Sequence, residues 1–317
     1  MDLSQTFLGW TPNPAEVARL LPTLKIPEIK GFAPNGDEKT NIFLYKAFRE
    51  IVKTDPPKGP QKIGDCVSWG WGNLCNYLQA LQIYQELKAK MLLVLPPDAT
   101  PEMISAQSVV KGQYQETATE SIYALSRVEV GGQRGSYSDG SVGAWAAKAV
   151  EKFGTLSRPF LDSKGLGGTY DPQRAKKWGA EGLPDNLEPD AIKHPVKATT
   201  IIRSFKDAAT QIQNGYPVAV CSNRGFTMTR DQDGFCKPSG RWDHCMLFVA
   251  VRWDRPGLCC SQSWGPNTPT GPLAFEQPDN TFWVDAPVVD YMLGQEDSYT
   301  GSNFEEYVDQ DFTDWRH

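Results

Sequence analysis

In Gln61-Lys62-Ile63-Gly64-Asp65-Cys66-Val67-Ser68-Trp69, a thiol follows a glycine turn and opens a helix-like run. Downstream, Val67, Trp71, Leu74, Leu78 and Leu81 recur at steps of four and three, one apolar stripe of a helix. The pattern predicts a helix from Cys66 to about Lys90. A thiol at such a place faces the positive end of the helix dipole. With an imidazolium beside it, a cysteine pKa there falls to roughly 3.5–7.5. Of the three histidines, His194 lies in a proline-flanked loop and His317 is the last residue, whereas His244 follows Asp243 and opens the apolar run 245–249. Gln262-Ser263-Trp264-Gly265 comes next. A nucleophile, a base at the start of a strand and a carboxamide beside a tryptophan are the parts of thiol acyl-transfer chemistry.

Composition narrows the alternatives. With 317 residues, 40% of them hydrophobic, the chain is large enough to bury a sizeable core. A net charge of −6 argues against nucleic acid as a partner, and no basic cluster escapes that average; Lys25, Lys30 and Lys176-Lys177 read as solvated charge. The start of the chain has no positive n-region and no long apolar h-region, and residues 91–95 are too short a run to span a bilayer. These readings predict a cytoplasmic protein, or one packaged into a viral particle, with no membrane partner. Seven dispersed cysteines without a Cys-x-x-Cys spacing predict neither a disulfide framework nor a zinc site, and Cys259-Cys260 read as small buried hydrophobes. No metal and no cofactor are expected.

Along the chain, Asn13-Pro14 predicts a short helix ended by Pro22, and Asn41 a second helix carrying Ile42, Tyr45, Phe48 and Val52 on one face. Residues 55–60 read as an extended linker. Residues 115–140 read as loop-rich, and a helix follows with Val142, Trp145, Ala146, Ala149, Val150 and Phe153 buried, stopped at Gly154. Residues 155–200, rich in Gly, Pro and Lys, read as a long surface excursion. Ser204 with Asp207 predicts a capped helix ending at Asn214-Gly215. Short apolar runs at 217–220, 245–251, 258–261 and 282–284 read as strands. Helices in the first half and strands in the second give an α+β chain with two lobes.

These landmarks stand in the order Gln, Cys, His, then a Gln-Ser-Trp-Gly run. The chain thereby resembles papain-like cysteine peptidases of a divergent, bacterial or viral type, over roughly residues 58–285. The resemblance implies a helical lobe at about 58–155, an antiparallel β-barrel-like lobe at about 200–285 and the active-site cleft between them. Residues 1–57 become an N-terminal extension, 58–317 the peptidase domain, and 286–317 a tail whose acidic residues read as a solvated face. Cys66 is implied as nucleophile, His244 as general base and acid, and Gln61 as oxyanion donor with the Cys66 amide. Gln262 stands where the family has Asn and would orient the imidazole, shielded by Trp264. Ser138-Asp139-Gly140-Ser141 falls where the family pairs with substrate backbone, which gives Gly140 and Ser141 a substrate-binding role; an N-cap formed by Asp139 or Ser141 is an equal reading. Trp242 would wall a substrate pocket.

The partner implied is a peptide or protein substrate, and an endopeptidase is expected over an exopeptidase. The interval from Cys66 to His244 exceeds the ~130–150 residues of papain-like enzymes, an excess assigned to 91–120 and 155–200. Ile63 replaces a disulfide cysteine of secreted relatives, which fits a disulfide-independent life. Three other readings stay open: a papain-like module whose chemistry has decayed, motivated by Gln262; a thiol acyltransferase; and a chance motif match in an unrelated α+β protein.

Overall fold

The computed structural model describes residues 8–25, 39–307 and 315. The readings of residues 1–5, Lys30, Asp309, Asp311, Asp314 and His317 fall outside these.

Helix α3 (Cys66–Ala89) is the axis of the molecule. It is buried almost all round rather than along one stripe, because helices cover one side and the sheet the other. Its polar side also works inside the core. Asn73 donates to Pro57 O, Asn76 Oδ1 accepts from Thr117 N, Gln79 Oε1 from Gln115 N and Gln82 Oε1 from Phe304 N. Backbone groups in irregular segments and at the end of a strand lack ladder partners, and these carboxamides supply them.

The N-terminal residues join the same core. Helix α1 (Pro14–Leu20) is capped by Asn13, whose side chain accepts from Glu16 N. The Asn41 reading is corrected: Asn41 Oδ1 accepts from Trp253 N instead of capping a helix. Ile42–Phe43 form a short strand, β1, and helix α2 (Leu44–Val52) starts after it with no side-chain cap. Tyr45 and Phe48 are fully buried from α2.

After helix α4 (Pro101–Lys111), two loop readings give way to helices. Helix α5 (Thr119–Ala124) continues as a π-helical turn over Leu125–Val130. Helix α6 (Gly143–Lys152) matches its expectation. The supposed excursion at 155–200 contains helices α7 (Arg158–Ser163), α8 (Pro172–Glu181) and α9 (Glu188–Ala191). These are too short to show a convincing period. They are held by a second small core of Leu161, Trp178, Leu183 and Leu187, and by buried Glu120, which accepts from Arg158 Nη1 and Arg174 Nη2 at 2.6 Å each.

The sheet is antiparallel and not closed. Strands β2 (Val196–Ile201), β3 (Val218–Phe226), β4 (Pro238–Arg252), β5 (Gly257–Ser261), β6 (Thr281–Asp285) and β7 (Tyr299–Phe304) run in the order β2-β7-β3-β4-β5-β6, and β1 pairs with β4. Helices α10 (Phe205–Gln213), capped by Ser204 as read, and α11 (Ala286–Leu293) flank it. The tail is therefore not only a solvated face: β7 sits between β2 and β3, and Asp297 is buried. Strand β4 lies against α3, which brings the start of that helix to the middle of the sheet.

Candidate active site

Cys66 is the first residue of α3 and fully buried. The Cys245 amide, on β4, donates to its sulfur at 3.4 Å. Burial pushes the thiol well above its ordinary pKa, the Cys245 thiol and Asp65 push the same way, and the amides of Cys245 and Gly9 only partly oppose them. Asp65 itself is buried. Burial raises its carboxyl despite the Tyr170 hydroxyl, which donates to Oδ2 at 2.9 Å.

His244 precedes Cys245 on β4 and has no exposed surface. Burial lowers its pKa to about 3, so the ring is neutral. Trp264 lies over it with ring centres 4.7 Å apart and planes at 30°. Trp242 packs in turn on Trp264 and on Phe226, and is buried as the floor of that stack. Both imidazole nitrogens are buried without a hydrogen-bond partner, so the ring is bonded neither to the Cys66 sulfur nor to Gln262.

Gln262 Nε2 donates to Asn267 O at 3.2 Å, and its Oε1 is buried and unpaired. Its backbone is fixed by Asn280, whose Nδ2 donates to Gln262 O and Ser261 Oγ at 2.9 Å. The Gln61 carboxamide accepts from Ser263 Oγ at 2.9 Å and donates to Ile63 O at 2.8 Å, and Gln61 N donates to Ser263 O. The loop before the thiol and the Ser-Trp-Gly run are thus tied together.

Residues 8–11 cross the front of the thiol as an extended strap. Gly9 N and Trp10 N donate to Asp243 O at 3.0 and 3.1 Å, Ser141 N donates to Gly9 O at 2.8 Å, and Thr11 N to Ser141 O at 2.9 Å. Trp10 and Ser141 therefore pair as neighbouring parallel strands do. The fit leaves no room for side chains at two points. A methyl on Gly9 would lie 2.1 Å from Gly64 O, and one on Gly140, which has φ +104°, would lie 2.6 Å from Thr11 Oγ1. Neither Asp139 nor Ser141 caps α6. Asp139 accepts from Gly64 N at 3.1 Å and pairs with Lys176, and the start of α6 is capped from a distance by Asp297.

Asp297 lies beside the candidate site, a placement that the sequence did not announce. Its carboxyl accepts from Trp10 Nε1 at 2.7 Å, Gly143 N at 2.7 Å and Ala144 N at 2.8 Å. Burial raises its pKa to about 7 against the pull of those three donors. It lies among the acidic residues of the tail, and only the sheet topology carries it under α6. Trp10 was missed for a similar reason: a lone aromatic before a helix carries no signal of a partner nearly the whole chain away.

No family model matches the sequence, and no curated protein matches it. Among solved structures the chain is similar to xylellain, a cysteine protease from Xylella fastidiosa, at 13% identity, 94% coverage of this chain, 92% of that one and a TM-score of 0.52. The fold is papain-like. Two further structures share less of the geometry. The ragweed pollen cysteine protease Amb a 11 aligns at 10% identity over 90% of this chain and 72% of its own, with a TM-score of 0.47. The digestive procathepsin L 3 of Tenebrio molitor aligns at 11% over 88% and 73%, with a TM-score of 0.46. Within this papain-like frame, the thiol at the head of α3 and the imidazole on β4 fall at the junction of the helical layer and the sheet. Among the described residues no helix is long and apolar enough to cross a membrane, and no cluster of His, Cys, Asp and Glu fits a metal.

Proposed function

We propose that this chain is a cysteine-type endopeptidase held latent by its own residues 8–11. One observation carries the reading. The backbones of Ser141 and Asp243 hold an extended chain segment across the front of a thiol that opens a helix. A groove that binds backbone in this way takes peptide with little regard for most side chains. The occupant continues in sequence on both sides, as an internal stretch of substrate would.

In the reaction, the Cys66 sulfur attacks the scissile carbonyl while His244 takes the thiol proton. The Cys66 amide and the Gln61 carboxamide stabilise the oxyanion. His244 returns the proton to the leaving amine, and water hydrolyses the thioester with His244 again as base. Gln262 Oε1 orients the imidazole, and Trp264 keeps water from that bond. Ser141 and Gly140 bind substrate backbone in place of the strap.

The closed form is suited to none of these steps. The carbonyl of Gly9 is engaged by Ser141 N, not presented to the sulfur, and thiol and imidazole are both kept neutral by burial. Opening the strap admits water and lets the pair ionise. An epoxide-type thiol probe tests this. A Gly9→Ala variant, whose methyl evicts the strap, labels at Cys66, and adding His244→Ala abolishes labelling. Equal, slow labelling of all forms would sink the proposal.

A second reading has a specific observation behind it. Gln262 Oε1 and both imidazole nitrogens are buried and unpaired, as in a papain-like module whose chemistry has decayed. Under that reading the Gly9→Ala variant exposes Cys66 to small alkylating agents without any dependence on His244.

A further inference from the structure

Three thiols meet at the candidate nucleophile. Cys245 and Cys221 face each other across β4 and β3. They are a non-hydrogen-bonded pair: Cys221 N donates to Ser298 Oγ at 3.1 Å and Cys245 N to Cys66 Sγ at 3.4 Å, so neither amide serves the opposite strand. In such pairs the Cα atoms stand about 4.5 Å apart with side chains on one face. Disulfides span Cα separations of about 4.4–6.8 Å, a range that includes the spacing of such a cross-strand pair. The Cys245 sulfur is pressed towards α3, where a methyl on Gly70 would lie 2.7 Å from it. Cys221 interacts with both Cys245 and Cys66. All three are reduced and buried.

We propose that Cys245 and Cys221 form an oxidation relay that rescues Cys66. The strap and the relay would act at different times. While residues 8–11 cover Cys66, burial keeps its thiol protonated and inert. Once the strap leaves, the ionised sulfur is exposed to peroxides, a part of the argument that rests on the latent-peptidase reading. Peroxide then transfers one oxygen to Cys66, giving a sulfenic acid and water or an alcohol. The Cys245 sulfur attacks that sulfur, hydroxide leaves and is protonated to water, and a Cys66–Cys245 disulfide forms. The Cys221 thiolate attacks Cys245, expels Cys66 as thiolate and leaves a Cys221–Cys245 disulfide. In sum one peroxide is reduced, two thiols are oxidised, and the nucleophile is regenerated. A cellular dithiol resets the pair by the same exchange.

The experiment uses the full chain carrying Gly9→Ala, reduced, given one equivalent of hydrogen peroxide, alkylated and mapped by mass spectrometry. The expected product is a Cys221–Cys245 disulfide with Cys66 alkylated as a free thiol. Cys221→Ser halts the relay at Cys66–Cys245, and with a second equivalent of peroxide supplied to both chains Cys245→Ser drives Cys66 to sulfinic acid at least about 10-fold faster. Any product in which Cys245 remains a free thiol, including one with Cys66 untouched, overturns the relay, as does a Cys66 oxidation rate indifferent to Cys245→Ser. The mapping needs no substrate. A relay that forms in a chain that cleaves no peptide would sink the peptidase and spare the relay, and active protease with free Cys245 would do the reverse.

Discussion

The backbone amide of Cys245 donates to the sulfur of Cys66 at 3.4 Å. This one contact fixes the first turn of α3 against β4 and brings the residue bearing the imidazole beside the thiol, although their sequence positions are far apart. The sulfur is held by this backbone amide and not by the His244 ring.

Thiol reactivity follows from the strap. A methyl on Gly9 meets Gly64 O at 2.1 Å, a backbone clash that forces the strap and the Gly64 turn apart, while the rest of the site keeps every atom. Losing the strap's amide bonds and the buried Trp10 ring removes several kcal/mol of docking. Gly9→Ala therefore raises the rate of Cys66 alkylation at pH 7 by about 100-fold or more, and moves the midpoint of its pH–rate profile downward. Trp10→Ala acts in the same direction. Iodoacetamide kinetics check both.

Substituting Cys66→Ala or His244→Ala in the Gly9→Ala background lowers peptide hydrolysis by about 10⁴-fold, the scale on which triad members act as a unit. Folding controls are circular dichroism and urea midpoints, because both residues are buried.

Gln262 is tested separately. Gln262→Ala lowers kcat/KM by about 10–100-fold, the usual cost of losing a group that orients a reactive side chain, and shifts the imidazole limb of the pH profile. Gln262→Asn restores most of the loss, since it keeps a carbonyl oxygen. Equal rates for all three forms would remove Gln262 from the site.

Stability against pH carries two opposite signatures. The His244 pKa falls to about 3 on folding from 6.5 in the unfolded chain, so its contribution is full above 6.5 and is lost as pH drops through 3. The Asp297 pKa rises to about 7 from 3.8, so its contribution is present below 3.8 and is lost as pH climbs through 7. His244→Leu flattens the acid limb of urea midpoint against pH, and Asp297→Asn flattens the fall between about 4 and 7.

Much of the frame was legible because it rests on local signals. The 66–89 helix, the Asn13 and Ser204 caps and the apolar strand runs each have a period or a capping residue. What was not legible depends on partners distant in sequence. Asn41 has the chemistry of a helix cap, yet its oxygen goes to Trp253 N. Helices α7 to α9 are each ten residues or shorter; Glu120 ties α7 and α8 through Arg158 and Arg174, and α9 packs through Leu187 and Ala191, so distant partners rather than amphipathic pattern hold them. At the candidate site, Gln61, Cys66, His244 and Gln262 are legible in the sequence as an ordered set of residue types. The Trp10–Asp297 hydrogen bond beside that site shows only when both ends of the chain are in place.

The most direct measurement is hydrolysis of an unstructured protein substrate by the full chain, by its Gly9→Ala form and by Gly9→Ala/Cys66→Ala. A latent cysteine peptidase gives negligible cleavage by the first, turnover by the second and none by the third. A folded Gly9→Ala form that alkylates rapidly at Cys66 but cleaves no peptide bond would contradict the account.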